Sequence, residues 1–236
     1  MRRVLAGVVE LVFPTRCAGC ERPGALLCSA CIASLPTIEP SSACPRCGAP
    51  TTGRCVECFG VTFAFSAARC FGLLAPPLSR VVTLYKDGGE RRLASVLAAM
   101  LAHAAGDWRE WADGIVAVPA SQAAARRRGF DHVDAVGIQL SRELGLPLAR
   151  LLSRRSGRDQ RTLGREGRRA NMREAFDALG SRQSSRLLLV DDVFTTGATL
   201  NAAAAALLRS GCASEVRVVA LARAADGDAT RRLVGM

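Results

Sequence analysis

The chain has 236 residues, of which 49% are hydrophobic, 22% charged and 5% aromatic, and its formal net charge is +11. This composition excludes disordered, collagenous and fibrous proteins, and the length suits one medium-sized domain plus a small one. No apolar run reaches the roughly 18 residues that span a bilayer. We therefore expect a cytoplasmic protein without a membrane partner.

The first apolar segment, residues 4–13, follows two arginines and superficially resembles a signal peptide. Glu10 interrupts it, and no small-residue cleavage site follows before Pro14. The pattern therefore predicts a short amphipathic helix rather than a cleaved leader. In a cytosolic protein the cysteines stay reduced and are available to bind metal.

Eight of the ten cysteines form two copies of C-x2-C-x7-C-x2-C, at residues 17–31 and 44–58. Two residues between thiolates let one tight turn present both sulfurs to an ion, and two such turns complete a tetrahedral S4 site. The duplicated spacing predicts a double zinc ribbon with two structural Zn²⁺ ions over residues 1–60, and disulfides or redox dithiols are the alternative. Local pairing within each repeat is our expectation, and interleaved pairing uses the same residues. The predicted ligands are Cys17, Cys20, Cys28, Cys31, Cys44, Cys47, Cys55 and Cys58.

Residues 61–236 form the second predicted domain, in which strand-like and helix-like segments alternate. The predicted strands are 67–74, 115–118, 187–190 and 216–221, and the predicted helices are 78–85, 92–105, 133–144 and 198–209. This alternation is typical of an α/β fold, a mostly parallel sheet flanked by helices, with the ligand at the carboxyl ends of the strands. Cys70 and Cys212 lie in apolar surroundings, which predicts buried, inert thiols.

The strand at 187–190 leads into an acidic pair, a Thr/Gly turn and an alanine-rich helix. A helix N-terminus offers free backbone N–H groups and the positive end of the helix dipole. Gly197 lets the backbone approach a ligand closely, and the hydroxyls of Thr195, Thr196 and Thr199 add donors. The pattern predicts a phosphate cradle.

Asp191 and Asp192 precede this cradle and would repel a phosphate, so they suit sugar hydroxyls or a hydrated Mg²⁺ ion. A phosphate beside a diol is a sugar phosphate, which is therefore the predicted ligand. The alternative is an ordinary strand, turn and helix cap without a ligand. Two unpaired carboxylates at a strand end are a poor structural choice, which favours the ligand.

Residues 187–200 resemble the phosphoribosyl pyrophosphate (PRPP) motif of type I phosphoribosyltransferases. With four Cys pairs ahead of it, nearly the whole chain is similar to the ComF family, bacterial proteins associated with DNA uptake in natural competence. The resemblance implies a type I phosphoribosyltransferase-like fold that binds PRPP with Mg²⁺, the acidic pair on the ribose hydroxyls and the Thr/Gly loop on the 5-phosphate. Here those roles fall on Asp191, Asp192, Thr195, Thr196, Gly197, Ala198 and Thr199.

Shorter segments add to the resemblance. Residues 85–88 are similar to the family's lysine, aromatic, any, glycine segment, although the aromatic here precedes the lysine. Residues 128–132 resemble an Arg-Gly-Phe-Asn-Gln element, but Asp131 and His132 replace its two amides. Residues 160–171 match a later spaced pattern of Gln, Arg and Asn that lacks the usual threonine.

Residues 126–173 hold thirteen arginines and five acidic residues, a concentration of charge that attracts polyanions unless it is only a solvated face. Within it, residues 154–173 form a basic, glycine-containing loop. Since such loops close over pyrophosphate in transferases of this type, we expect one here. The candidate pyrophosphate or nucleic-acid contacts are Lys86, Arg127, Arg128, Arg155, Arg158, Arg161, Arg165 and Arg168.

Three functions fit the sequence. The first is a phosphoribosyltransferase that displaces pyrophosphate from PRPP through an oxocarbenium-like state, with an unknown acceptor. The second is a non-catalytic protein that handles single-stranded DNA, in which Phe59, Phe63, Phe65 and Phe130 are candidate stacking groups. The third is a docking module, in which the zinc ribbons bind the competence helicase that the resemblance supplies as a partner.

Overall fold

The computed structural model describes residues 14–155, 175–180 and 184–224. The amphipathic helix predicted for residues 4–13 and most of the predicted basic loop lie outside these ranges. No helix in the described ranges is both long enough and apolar enough to cross a membrane.

Strands and helices alternate along the chain as predicted. The helices are α1 (Ser29–Ala33), α2 (Leu78–Lys86), α3 (Leu93–Ala105), α4 (Trp108–Trp111), α5 (Gln122–Arg128), α6 (His132–Leu144) and α7 (Ala198–Arg209). The strands are β1 (Ala67–Leu73), β2 (Gly114–Ala117), β3 (Leu152–Arg154), β4 (Phe176–Ala178), β5 (Ser185–Phe194) and β6 (Ala213–Arg223). The predicted helix at residues 198–209 has the observed bounds, whereas β5 and β6 are longer than predicted.

The main sheet has the strand order β1-β6-β5-β2, and every neighbouring pair is parallel. Its centre is the apolar run of β5, which is buried on both faces. Leu188 and Val190 belong to the core that α3 and α6 cover, while Leu187 and Leu189 belong to the core that α7 covers. A parallel strand with helices on both faces needs such a continuous apolar run, so the mostly parallel α/β fold is confirmed.

The linker between the two cysteine repeats closes one edge of this sheet. Residues 36–38 run antiparallel to β1: Ile38 N donates to Phe71 O at 2.9 Å, and Leu73 N donates to Pro36 O at 2.8 Å. The linker therefore occupies an edge that would otherwise present unpaired backbone groups. These bonds join the cysteine-rich region to the sheet, and the domain division after residue 60 stays a prediction.

A stack of arginines and tryptophans lies at the opposite end of the sheet from the strand carboxyl ends. The guanidinium of Arg217 lies 4.0 Å from the ring centre of Trp111, and that of Arg69 lies 4.1 Å from the ring centre of Trp108. Asp107 pairs with Arg69 at 2.7 Å. Both tryptophans belong to α4, a four-residue helix that the sequence analysis did not predict.

Gly72 is required where the linker crosses β1. A Cβ atom at this position would lie 2.6 Å from the backbone oxygen of Pro36. We expect Gly72→Ala to lower the free energy of unfolding by about 2 kcal/mol, because the linker must move away from the sheet edge. Urea unfolding measures this, with Gly53→Ala as the control, since no atom lies within 4 Å of its added Cβ. Equal effects of the two substitutions would contradict the close approach.

Candidate functional site

The eight repeat cysteines gather into two separate groups of four. Within each group the four sulfurs lie within 4.8 Å of one another, and each group comes from one repeat. The local pairing that we expected is therefore present in the fold, and the interleaved pairing is not. The first group is Cys17, Cys20, Cys28 and Cys31, and the second is Cys44, Cys47, Cys55 and Cys58.

The spacing of the sulfurs fits a tetrahedral zinc ion. Cys20 and Cys28 lie 3.7 Å apart at their sulfurs, and Cys47 and Cys55 lie 3.6 Å apart. A Zn–S bond of about 2.3 Å requires sulfur separations of about 3.8 Å, whereas a disulfide requires about 2.05 Å. Four thiolate donors fill a tetrahedral ion and leave no open position, so a zinc ion here would stabilise the fold rather than catalyse a reaction.

Two thiols of the first group, those of Cys17 and Cys31, have pKa shifts in opposite directions. Burial opposes ionisation of Cys17, but hydrogen bonds from backbone amides, led by that of Cys28, outweigh it and lower its pKa to about 6. For Cys31, burial raises the pKa to about 12. Cys17 therefore ionises readily, whereas Cys31 needs a nearby cation to do so.

The acidic pair lies within β5 and not after it, which corrects the strand end expected at residue 190. Pairing of β5 with β2 ends at Val190, but pairing with β6 continues to Phe194 and Arg223. Asp191 and Asp192 therefore lie where β2 has ended and one side of β5 is open. This is the carboxyl end of the sheet, where parallel α/β folds bind ligands.

Two helices converge on the carboxylate of Asp192. Lys86, the last residue of α2, donates from Nζ to Asp192 Oδ2 at 2.5 Å, and His132, the first residue of α6, bonds the same oxygen from Nε2 at 2.8 Å. The expectation that both carboxylates are unpaired is therefore wrong for Asp192. Asp191 Oδ1 accepts a bond from the backbone N–H of Asp192 at 2.9 Å.

The two carboxyl groups have opposite pKa shifts. Burial opposes ionisation at Asp192, but the hydrogen bond from His132 and the charge of Lys86 outweigh it and lower the pKa. At Asp191, burial and the adjacent charge of Asp192 raise the pKa well above its usual value. One member of the pair is therefore a fixed anion, and the other ionises fully only when a cation or a hydrogen-bond donor approaches.

His132 belongs to a longer hydrogen-bonded chain. Its Nδ1 lies 3.4 Å from Arg128 Nη1, Arg128 Nε donates to Asp87 Oδ1 at 3.1 Å, and the hydroxyl of Tyr85 donates to His132 O at 2.7 Å. Sequence reasoning noticed His132 only as a departure from the ComF pattern and missed its contact with the acidic pair. The signal available in the sequence was the position of His132, which directly follows the helix-capping Asp131 and therefore begins a helix.

The phosphate loop, residues 195–199, follows β5 directly. Thr195 and Thr196 are exposed, and Gly197 has a φ of +77°. A Cβ atom at Gly197 would lie 2.7 Å from the ring of Phe194 and 3.0 Å from that of Phe63, so both the backbone and the space require glycine. Helix α7 begins at Ala198, and the amides of its first turn have no partners within the helix.

The predicted basic contacts are dispersed. Lys86 reaches the acidic pair directly and Arg128 reaches it through His132, while Arg127 is exposed on α5. Arg155 pairs with Asp177 at 2.7 Å and lines a cleft of about 510 Å³ at the C-terminal end of α7, away from the phosphate loop. Arg158, Arg161, Arg165 and Arg168 lie outside the described residues, and their roles stay predictions.

Three of the four candidate stacking phenylalanines pack against other rings. Phe63 stacks on Phe65 with centroids 4.6 Å apart, and Phe130 meets Tyr85 edge-on at 5.7 Å. Phe59 is different, because 62% of its surface is exposed and the guanidinium of Arg54 lies 4.3 Å from its ring centre. The two remaining cysteines, Cys70 and Cys212, are buried, as expected.

Two four-cysteine groups joined to a parallel sheet, with an acidic pair before a glycine turn and a helix, define a zinc-ribbon protein with a phosphoribosyltransferase-like domain. Family models agree: the double zinc ribbon domain matches residues 8–61, and the phosphoribosyl transferase domain matches residues 135–232. The chain belongs to the ComF family.

Its relatives span nearly the full length of the chain. DNA utilization protein YhgH of Escherichia coli K12 is 33% identical over 90% of this chain and 99% of its own. Competence protein F of Haemophilus influenzae is 30% identical over 84% of this chain and 90% of its own. Among solved structures, purine phosphoribosyltransferase from Pyrococcus horikoshii OT3 matches 55% of this chain and 72% of its own, with a TM-score of 0.34 and 21% identity.

The two cysteine groups predict a fixed metal stoichiometry. We expect two Zn²⁺ ions per chain, and one after Cys28→Ser or Cys55→Ser, because each group loses tetrahedral closure independently. Native mass spectrometry counts the ions. Loss of both ions from either single variant would show that the groups do not bind separately.

The acidic pair predicts stability changes of opposite sign. We expect Asp191→Asn to stabilise the fold at pH 7 by about 1 kcal/mol, because burial and the charge of Asp192 oppose ionisation of this carboxyl in the folded state but not in the unfolded one. Because the folded-state pKa is raised, the gain in stability is absent below about pH 4, where the carboxyl is protonated in both states. The gain grows as the pH rises from about 4, where the unfolded group ionises, to the folded-state pKa.

Asp192→Asn is the matched comparison at the adjacent position. It should destabilise the fold by about 2 kcal/mol, since Lys86 and His132 lose their charged partner. Because the folded-state pKa of Asp192 is lowered, the substitution costs the full amount of stability at pH values above about 4, where the unfolded carboxyl is also ionised. The cost decreases as the pH falls towards the folded-state pKa. Urea unfolding at several pH values tests both variants, and effects of the same sign would contradict the assigned charges.

Proposed function

We propose that this chain binds PRPP, or a closely related ribose 5-phosphate, at the carboxyl end of its sheet. The observation that carries the proposal is the continuity of the site. The anionic Asp192 and the start of α7 at Ala198 lie on one short segment. Groups that would accept hydrogen bonds from sugar hydroxyls therefore lie close to groups that would donate hydrogen bonds to a phosphate of the same ligand. The family model for a phosphoribosyl transferase domain covers this segment.

Each part of the segment has a distinct task. The amides of the first turn of α7 and the hydroxyls of Thr195, Thr196 and Thr199 would donate to the 5-phosphate. The acidic pair would accept from the 2- and 3-hydroxyls. Lys86 and His132 fix one oxygen of Asp192, and this restraint lowers the cost of ordering the site when the sugar binds.

Mg²⁺ bound with PRPP would neutralise pyrophosphate charge and aid its departure from C1 of the ribose. Asp191 supports this assignment, since burial keeps its pKa high until a cation arrives. The chain itself would contribute positioning and electrostatic stabilisation to a transfer reaction. Binding of PRPP is the function we propose, and transfer to an acceptor would be a further property of the same site.

We propose that this binding serves DNA utilisation in the cytoplasm, a role suggested by the names of relatives that match nearly the whole chain. A second candidate, contact with single-stranded DNA, rests on Phe59. This exposed ring lies against Arg54 at a cleft of about 430 Å³ in the second cysteine group, and such arginine-covered rings suit base stacking. The competence helicase stays a predicted partner of the same region.

The acidic pair gives the sharpest test. We expect the double variant Asp191→Asn with Asp192→Asn to abolish PRPP binding, because both hydroxyl acceptors lose their charge, while two zinc ions remain bound. Calorimetry with PRPP and Mg²⁺ measures the affinity, and native mass spectrometry the zinc.

The matched control is Asp177→Asn, which changes an exposed carboxylate at the other end of α7. Parallel titrations with a single-stranded oligonucleotide at two salt concentrations separate the second candidate, whose binding should weaken steeply with salt. Unchanged PRPP affinity in the double variant would contradict the site. Absence of PRPP binding by the unmodified chain, with oligonucleotide binding intact, would favour the second candidate.

A further inference from the structure

A buried arginine links the second cysteine group to the phosphate loop. Arg223 ends β6 and is only 2% exposed. Its Nη1 donates to the backbone oxygens of Phe194 and Thr195, at 3.2 and 2.7 Å, and also to that of Ala224. Its Nη2 donates to Glu57 Oε2 at 3.2 Å. One guanidinium therefore contacts both the start of the phosphate loop and the second cysteine group.

Glu57 supplies the charge that this burial requires. A guanidinium out of contact with water needs a counter-ion, and within the described residues Glu57 forms an ion pair with Arg223 at 3.2 Å. Glu57 lies between Cys55 and Cys58, so a metal ion held by those two sulfurs would also hold the glutamate in place. The four-sulfur group fits such an ion, as its sulfur spacing shows.

The bonds from Arg223 determine which way the loop amides point. In a planar trans peptide the C=O and the following N–H point in opposite directions. Because Arg223 holds the oxygen of Thr195, the N–H of Thr196 faces away from the arginine. The oxygen of Phe194 accepts from Arg223 and from the backbone N–H of Ala224, so the N–H of Thr195 also faces away from the arginine. These are two of the donors that a phosphate at the exposed loop would use.

The chain that leaves the second cysteine group also contacts the loop. The ring of Phe63 packs so closely against Gly197 that a Cβ atom added there would lie 3.0 Å from it. Ala64 N donates to Asn201 Oδ1 on α7 at 2.6 Å. The loop is therefore held at its beginning through Arg223 and at its end through residues 63 and 64.

The first cysteine group makes different contacts. Arg80 on α2 donates to Gly19 O at 3.2 Å, and Arg92, just before α3, donates to Thr15 Oγ1 at 3.1 Å. These bonds attach it to the helices beside β1. In the described part of the chain, the contacts that link the cysteine-rich region to the phosphate loop, to Arg223 or to α7 come from the second group and the residues that follow it.

We propose that the second zinc site positions the phosphate loop through the Glu57–Arg223 ion pair, so that sugar-phosphate affinity depends on this site and not on the first. Glu57 and Arg223 are positioning residues in this proposal, because Glu57 acts through Arg223 and Arg223 acts through the backbone oxygens of the loop. The dependence of affinity rests on the proposed PRPP binding, whereas the orientation of the loop amides does not.

The first experiment removes the charge of Glu57 in the full chain. We expect Glu57→Ala to shift the ¹⁵N–¹H resonances of Thr195 and Thr196 and to weaken PRPP binding about fivefold or more, with two zinc ions retained. Glu57→Gln keeps an oxygen acceptor and should recover part of the loss. Glu39→Gln is the control, because it changes an exposed glutamate at the end of the linker segment that pairs with β1.

The second experiment compares the zinc sites directly. Cys28 and Cys55 are the third cysteines of their repeats and are equally half-buried, so Cys28→Ser and Cys55→Ser are matched. Each should lose one zinc ion, but only Cys55→Ser should shift the loop resonances and lower the PRPP affinity. Equal effects of the two variants, or loop resonances unchanged in Glu57→Ala, would overturn the proposal. If the unmodified chain binds no PRPP, the proposed function fails, and the loop resonances alone decide the positioning role.

Discussion

The carboxylate of Asp192 is the interaction on which the candidate site depends. Its Oδ2 joins the end of α2, the start of α6 and the open side of β5 through bonds from Lys86 and His132. None of these three elements is close to the others in sequence, so the contact forms only when the sheet and its helices are assembled. The same bonds keep Asp192 ionised and thereby leave Asp191 beside a permanent negative charge. A cation, or a hydroxyl group of a ligand, would offset the effect of that charge and let Asp191 ionise.

The cysteine-rich region stabilises this arrangement from outside the sheet. A region this small buries little apolar surface, so metal binding can supply the folding energy that a core would supply elsewhere. The linker at residues 36–38 pairs with β1, and Glu57 reaches the last residue of β6. Two strands of the sheet are thus held by chain that precedes it. The ribbons are part of the structural support of the sheet as well as an appendage to it.

The sequence predicted the elements whose patterns are local. Residues 198–209 form α7 as expected, since an alanine-rich helix after a glycine is marked by neighbouring residues alone. The predicted end of β5 is wrong, because the apolar run stops at Val190 but backbone pairing with β6 continues through the polar residues to Phe194. Helix α4 is too short for a periodic pattern.

The site itself was predictable only in part. The acidic pair and the phosphate loop share one stretch of sequence, and a known motif indicates them. The partners of that stretch come from far along the chain: Lys86 and His132 meet Asp192, and Glu57 meets Arg223. Such pairings depend on the strand order and on which helix lies over which strand, and one sequence holds no local signal for either.

The stack of Trp108 and Trp111 with two arginines has a practical consequence for optical work on this protein. These are the only two tryptophans in the chain, and they lie at the end of the sheet where the strands begin, with the acidic pair at the other end. Their emission therefore reports on the packing of α4 and on global denaturation. A ligand at the strand carboxyl ends would leave that emission unchanged, so a silent fluorescence titration would say nothing about occupancy.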